Sequence, residues 1–242
     1  KKLIYLQKNK TMKNIRVALF GILILSSLMV FAQKTKGSSK PFIAEITYKI
    51  DYVGNWDPAV LAQQPKELKV YVYGNKMKTV IDLSGMGYMT NIQNGDDTTS
   101  VALIDIPAYQ LKKFIKTPKE KILEKLEEVS PQINYIDSTK EIAGYKAYKA
   151  EYIVKDEFGD PITTVVWYSP EINNGKINAA GDFPGLKGFP MEYITTQDEG
   201  SIIFSVGEVK TKKVKIKETD FLIPTDFEEL TEEEAKELFG GE

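Results

Sequence analysis

The chain has 242 residues, 42% of them hydrophobic and 27% charged, with 32 basic against 34 acidic side chains and neither histidine nor cysteine. Without those two residues there is no ordinary general base near neutral pH, no Ser-His-Asp or Cys-His arrangement, no thiolate nucleophile, no disulfide and no common zinc site. Only carboxylate, lysine or tyrosine chemistry is left to an enzyme reading, and neither a metal nor a cofactor is expected.

Residues 1–11 precede Met12 and read as an upstream extension outside the fold. From Met12 the chain carries basic Lys13 and Arg16, an apolar run from Val17 to Phe31, and Val30-Phe31-Ala32, which together make the pattern of a signal peptide, 12–32, cleaved near Ala32. The run is about 15 residues, short of the roughly 20 that span a bilayer. Export to the periplasm or extracellular space is therefore expected. No cysteine stands at the cleavage point to take a lipid, so membrane association is expected to be at most peripheral. Six of the basic residues and none of the acidic ones lie before Gln33, which leaves the exported part at a formal charge of −8 and argues against a nucleic-acid partner. Arg16 is the only arginine.

A polar linker, 33–41, leads into period-two alternation. Phe42, Ala44, Ile46, Tyr48, Ile50 and Tyr52 share one face, and Glu45, Thr47, Lys49 and Asp51 the other, which predicts a long half-buried strand. Leu68, Val70 and Val72, the Gly74-Asn75 turn, then Met77, Thr79, Ile81 and Leu83 predict a hairpin. Further strands are expected over 87–93, 98–106, 133–139, 145–154, 162–168, 191–196, 201–210 and 213–217, separated by Asn94-Gly95, Gly159-Asp160-Pro161 and Glu199-Gly200. Thr117-Pro118-Lys119-Glu120 supplies a capping hydroxyl, a proline for the first helical position and a glutamate at the third. Ile122, Leu123, Leu126 and Val129 then line one face until Ser130-Pro131, which predicts an amphipathic helix over 118–129. Thr231 with Glu234 forms a second capping box and predicts a short acidic helix in the tail, 228–242.

Short links between strands favour an antiparallel meander. The expected fold is mainly β: one domain, 42–227, in which a curved antiparallel sheet wraps around one or two helices and leaves a concave apolar groove.

Gly144-Tyr145-Lys146-Ala147, then Val166-Trp167-Tyr168-Ser169-Pro170-Glu171-Ile172, Phe183-Pro184-Gly185-Leu186 and Phe221-Leu222-Ile223-Pro224 occur in that order. Together they resemble envelope proteins of unknown function that carry a Trp-Tyr-Thr/Ser-Pro-Glu-Ile strand end and sometimes a Gly-Leu-Pro-Gly-Leu-Ile signature. That family is similar in turn to periplasmic lipoprotein carriers. The resemblance covers roughly 42–227 and implies a half-barrel with a helical lid over an apolar cavity. In this sequence Asp182-Phe183 stands where the signature has Gly-Leu, Lys187 stands where it has Ile, and the arginine that helps control opening in the carriers has no counterpart after Gln33.

Five residues are candidates for ligand contact. Trp167 and Tyr168 at a strand end either rim the groove or pack the core. Phe183, Leu186 and Phe189 belong to a loop, 182–191, too apolar to stand in water, which is either a lid or a segment tucked against the sheet. Asn94-Gly95-Asp96-Asp97 and Asp156-Glu157-Phe158-Gly159-Asp160 are read as turns, since neither has calcium-loop spacing. Lys210, Lys212, Lys213, Lys215 and Lys217 are read as a solvated or edge-protecting face opposite the acidic tail. The leading expectation is a non-catalytic exported protein that binds a lipid, acyl chain or other apolar small molecule. The alternative is a structural or assembly factor that binds another envelope protein through a sheet edge or the acidic tail.

Overall fold

The computed structural model describes residues 40–231 and 234, except 157, 174 and 198. The expected signal peptide lies outside the described residues, as does the expected tail helix apart from Glu234. Contacts divide the chain between Lys40 and Pro41, and every element described belongs to the unit Pro41–Glu242.

Twelve strands form one sheet: β1 (Ile43–Gly54), β2 (Glu67–Tyr73), β3 (Lys76–Asp82), β4 (Tyr88–Asn94), β5 (Thr99–Ile106), β6 (Leu111–Thr117), β7 (Gln132–Ile142), β8 (Tyr145–Lys155), β9 (Pro161–Ser169), β10 (Phe189–Gln197), β11 (Gly200–Lys210) and β12 (Glu228–Glu229). The order across the sheet is β12-β6-β5-β4-β3-β2-β1-β11-β10-β9-β8-β7. Two meanders, β2 to β6 and β7 to β11, thus flank β1, which pairs with β2 and β11. Every pairing is antiparallel except that of β12 with β6. Among the described residues two α-helices accompany the strands. α1 (Pro58–Leu61) is capped by Asp57, whose carboxylate accepts from the Ala59 N–H at 2.7 Å, and α2 (Lys119–Val129) joins β6 to β7. No helix among the described residues is long and apolar enough to cross a membrane.

The short length of α2 requires the sheet to curve. Its 11 residues span about 16 Å at ~1.5 Å per residue. In a flat sheet β6 and β7 would stand roughly 48 Å apart, at ~4.8 Å per strand spacing. The sheet is accordingly bent and open, with α2 bridging its two ends across the hollow side.

Alternation assigns the faces. Ile46 pairs with Val70, Val70 with Thr79 and Thr79 with Asn91, so these side chains share the concave face, and Met77, Gln93, Ser100 and Thr117 follow in the next row. Two elements cover that face. Residues 170–188, wound into a 3-10 turn at Lys176–Ala180, drive Ile172 and Ile177 into the cluster that holds Ile46, Tyr48, Val70, Val72, Phe189 and Met191. α2 roofs the other end. On the convex face Ile216, Phe221, Ile223 and Phe227 pack over Tyr71, Tyr73, Ile92, Leu103 and Phe114.

Most strands fall close to where alternation puts them. β6 has no clean alternation, because Leu111, Phe114 and Ile115 serve both faces of a strand that is covered on each. The strand expected at 213–217 is irregular backbone, with Lys213 at φ 61°. β11 already lies between β1 and β10, so the chain leaving it has no free edge to join and crosses the convex face instead. The hydroxyl cap expected from Thr117 is also not made. Pro118 occupies the N-cap with no side-chain bond, because Thr117 is held in the ladder opposite Ser100.

The acidic segment expected outside the domain continues the sheet. Glu228 and Glu229 pair with Lys113 and Phe114, and the Leu230 N–H donates to the Phe114 carbonyl at 2.8 Å. The Thr231–Glu234 capping box is formed: the Thr231 N–H donates to Glu234 Oε2 at 2.8 Å, and the Glu234 N–H to Thr231 Oγ1 at 3.1 Å. The acidic groups meet lysines of β6 rather than the cluster at 210–217. Lys112 lies 2.6 Å from Asp226, and Lys113 lies 3.2 Å from Glu228 and 2.9 Å from Glu234.

Candidate functional site

A cavity of about 410 Å³ lies under α2, between the two ends of the curved sheet. β4 and β5 contribute Asn91, Gln93 and Ser100, β6 contributes Thr117, and β8 contributes Tyr152 and Val154. The end of the 3-10 turn and the segment after it supply Ala180, Gly181, Asp182 and Pro184. The roof is Lys121, Ile122, Lys125, Leu126 and Val129 of α2. The volume falls in the range of small-ligand pockets, and the lining sets the apolar stripe of α2 against polar groups of the sheet. Larger concavities, about 600 Å³ beside α1, about 620 Å³ among Lys78, Lys210 and Lys215 and about 560 Å³ between Gln64 and Tyr88, are more open surface clefts.

The roof is packed loosely. No residue of α2 is buried, and Ile122, Leu126 and Val129 are half-buried over the cavity. An amphipathic helix in a globular domain ordinarily sets its apolar stripe against a core. This one sets it against a space.

The electrostatics are equally particular. Asp182 is exposed into the cavity yet surrounded by the concave wall, so loss of solvation raises its carboxyl above the ordinary value while Lys125 opposes the rise. Tyr152 is pushed up to about 12 by burial and by the Asp182 charge, and the same two causes raise Tyr193. Tyr48 is raised by burial first, then by Tyr193 and Asp182, and its hydroxyl donates to the Pro190 carbonyl. Gln93, 5% exposed, has an Oε1 with no hydrogen-bond partner among the described residues. Among those residues no group of three or more acidic side chains is placed to hold a metal ion. The Asp96 and Asp156 carboxylates serve turns and one lysine: Asp96 accepts from Asn75 and Lys176, and Asp156 from the Phe158 and Asp160 N–H groups.

None of the five residues singled out from sequence lines this cavity. Trp167 and Tyr168, adjacent in β9, point to opposite faces, so the structure does not bring them together. Trp167 lies opposite Lys149 and Glu192, with the Lys140 ammonium 4.4 Å from its ring and 2.6 Å from Glu192. Tyr168 is buried beside Tyr135 and Tyr148. Of the two readings offered for the 182–191 loop, it adopts the tucked one: Phe183, Leu186 and Phe189 are 7%, 1% and 0% exposed. Phe183 stands one layer behind the wall, its ring 5.2 Å from that of Tyr152.

Asn178, which carries no mark in the sequence, holds the loop down. It is 2% exposed and its amide donates to the Leu186 and Gly188 carbonyls at 3.2 and 2.8 Å. Gly175, at φ 96°, lets the Leu186 carbonyl come within 2.1 Å of where a Cβ would stand. Gln93 and Asp182 are equally unmarked, because a polar residue in an alternating strand or beside a proline-glycine turn reads as solvent-facing until the roof is placed over it.

No family model matches the sequence, and no curated protein does. Solved structures do match in fold. Over 82% of its length the chain is similar to the structure of PNGF-II, with a TM-score of 0.54 and 14% identity, and it spans 32% of that chain. It is also similar to a putative outer membrane lipoprotein-sorting protein domain from Vibrio parahaemolyticus (TM-score 0.25, 12% identity, 74% of this chain and 88% of that one). A third match is LprF from Mycobacterium bovis (TM-score 0.29, 12% identity, 76% and 90%). At such identities the likeness concerns fold alone, and the last two superpose loosely.

Proposed function

We propose that this chain is an exported binding protein that takes a small amphiphile, a lipid or acyl chain, into the cavity under α2 and performs no chemistry on it. The observation that carries the reading is the unspent apolar face of α2: Ile122, Leu126 and Val129 are half-buried over a space of about 410 Å³. Apolar surface there gains roughly 25 cal/mol per Å² when an apolar guest removes it from water. Export rests on the sequence pattern from Met12 to Ala32. The absence of catalysis rests on the missing histidine and cysteine and on a lining with Asp182 as its one carboxylate.

The test is organic extraction of the purified protein followed by lipid mass spectrometry, on the parent and on Ile122→Asp/Leu126→Asp. A co-purifying apolar species lost in the variant supports the reading. A parent that neither carries one nor binds added alkyl probes defeats it.

The alternative of partner binding through the acidic tail is less favoured, because that segment is engaged by Lys113 and Lys116 of β6. The opposite edge, β7, presents exposed Tyr135 and Ile136, interrupted by an irregularity between Ile136 and Thr139. A strand-pairing partner would dock there. Cross-linking from Tyr135 that captures another envelope protein would support this second reading.

A further inference from the structure

Resting on that reading of the cavity, we propose that the ligand's polar end is a neutral hydrogen-bond donor, an amide N–H or a hydroxyl, received by the side-chain carbonyl of Gln93. Gln93 lies on β4 in the cavity wall, 5% exposed, and its Oε1 is a buried acceptor with no partner among the described residues. Buried polar atoms are nearly always paired, and an orphan in a pocket wall marks a place where a guest completes the bonding. Oε1 has almost no open surface in this arrangement, so a guest meets it as the Gln93 amide turns toward the cavity, and the facing residue leaves room for that turn. At Gly181 a Cβ would stand 3.0 Å from Oε1, so any other residue there would crowd the acceptor. Gly181 does not need glycine for its backbone, whose φ of −110° is open to any residue.

Charge selects among donors. Lys121 and Lys125 overhang the same cavity from α2 and repel an ammonium group. A carboxylate has no proton for Gln93 Oε1 and would set its lone pairs against those of the acceptor, which leaves a neutral N–H or O–H. The ligand class is thus an alkyl chain with an amide or hydroxyl near one end, the chain lying under Ile122, Leu126 and Val129 and the donor at Gln93.

The test uses two probes that differ by one group, N-octylacetamide and octyl acetate, the second having oxygen where the first has N–H. Binding to the full chain is measured by calorimetry. The amide is expected to bind roughly tenfold tighter, since the ester leaves Gln93 Oε1 unpaired. Gln93→Leu and Gly181→Ala are expected to abolish that preference while both probes still bind, with circular dichroism confirming that each variant is folded. Equal affinities in the parent protein overturn the donor proposal and leave the cavity reading intact, a trapped water then serving Gln93. A parent that binds neither probe overturns both.

Discussion

Asp182 carries the negative charge of the cavity lining. It faces Lys125 from α2, Tyr152 from β8 and, through charge, Tyr48 from β1 and Tyr193 from β10. Its folded-state pKa lies above its unfolded value, so the folded chain is favoured while the carboxyl is protonated, and that advantage is lost as the pH rises through the raised value. Asp182→Asn is therefore expected to raise the urea midpoint at neutral pH. The gain should shrink as the pH falls and vanish below the ordinary aspartate range near ~3.9. Lys125→Met should enlarge the neutral-pH gain. Asn178 acts the other way: Asn178→Leu removes the donor to two buried carbonyls and should cost about 1–3 kcal/mol for each, read by urea unfolding.

α2 is the element on which binding and stability separate. Its apolar residues are only half-buried, so Ile122→Asp or Leu126→Asp should lower stability by about 1 kcal/mol, roughly half the value of a fully buried aliphatic chain, while binding of alkyl probes is lost. The contrast is Phe189, 0% exposed in the central cluster. Phe189→Ala should cost about 3–5 kcal/mol in chemical denaturation. The loop between them belongs with the core, since Phe183 and Leu186 pack on Ala150, Tyr152 and Val166.

For the whole molecule, the sheet leaves two ends that other chains could extend. β12 protects one of them: Glu228 and Glu229 cap β6, and Leu230 is 7% exposed over it. Truncation after Phe227 should uncover β6 with Phe114 and Ile115, and size-exclusion chromatography should show more self-association than the full chain gives. An unchanged elution volume would mean that lysine charge alone guards this edge.

The alternation of Ala44, Ile46, Tyr48 and Ile50, the Gly74-Asn75 turn and the helical spacing of Ile122, Leu126 and Val129 are local properties. They suffice to place β1, the first hairpin and α2, and the short links between strands then imply an antiparallel sheet. The order of the strands came from elsewhere: β1 pairs with β11 more than a hundred residues on, and β11, flanked on both sides, forces residues 213–217 out of the sheet. The cavity is likewise a product of distance. Its lining comes from β4, β5, β6, β8, α2 and the segment around Gly181, and each of these polar residues looks solvent-facing within its own element. Periodicity fixes which face a side chain takes, but only the curvature that brings β6 and β7 under one short helix decides what that face encloses.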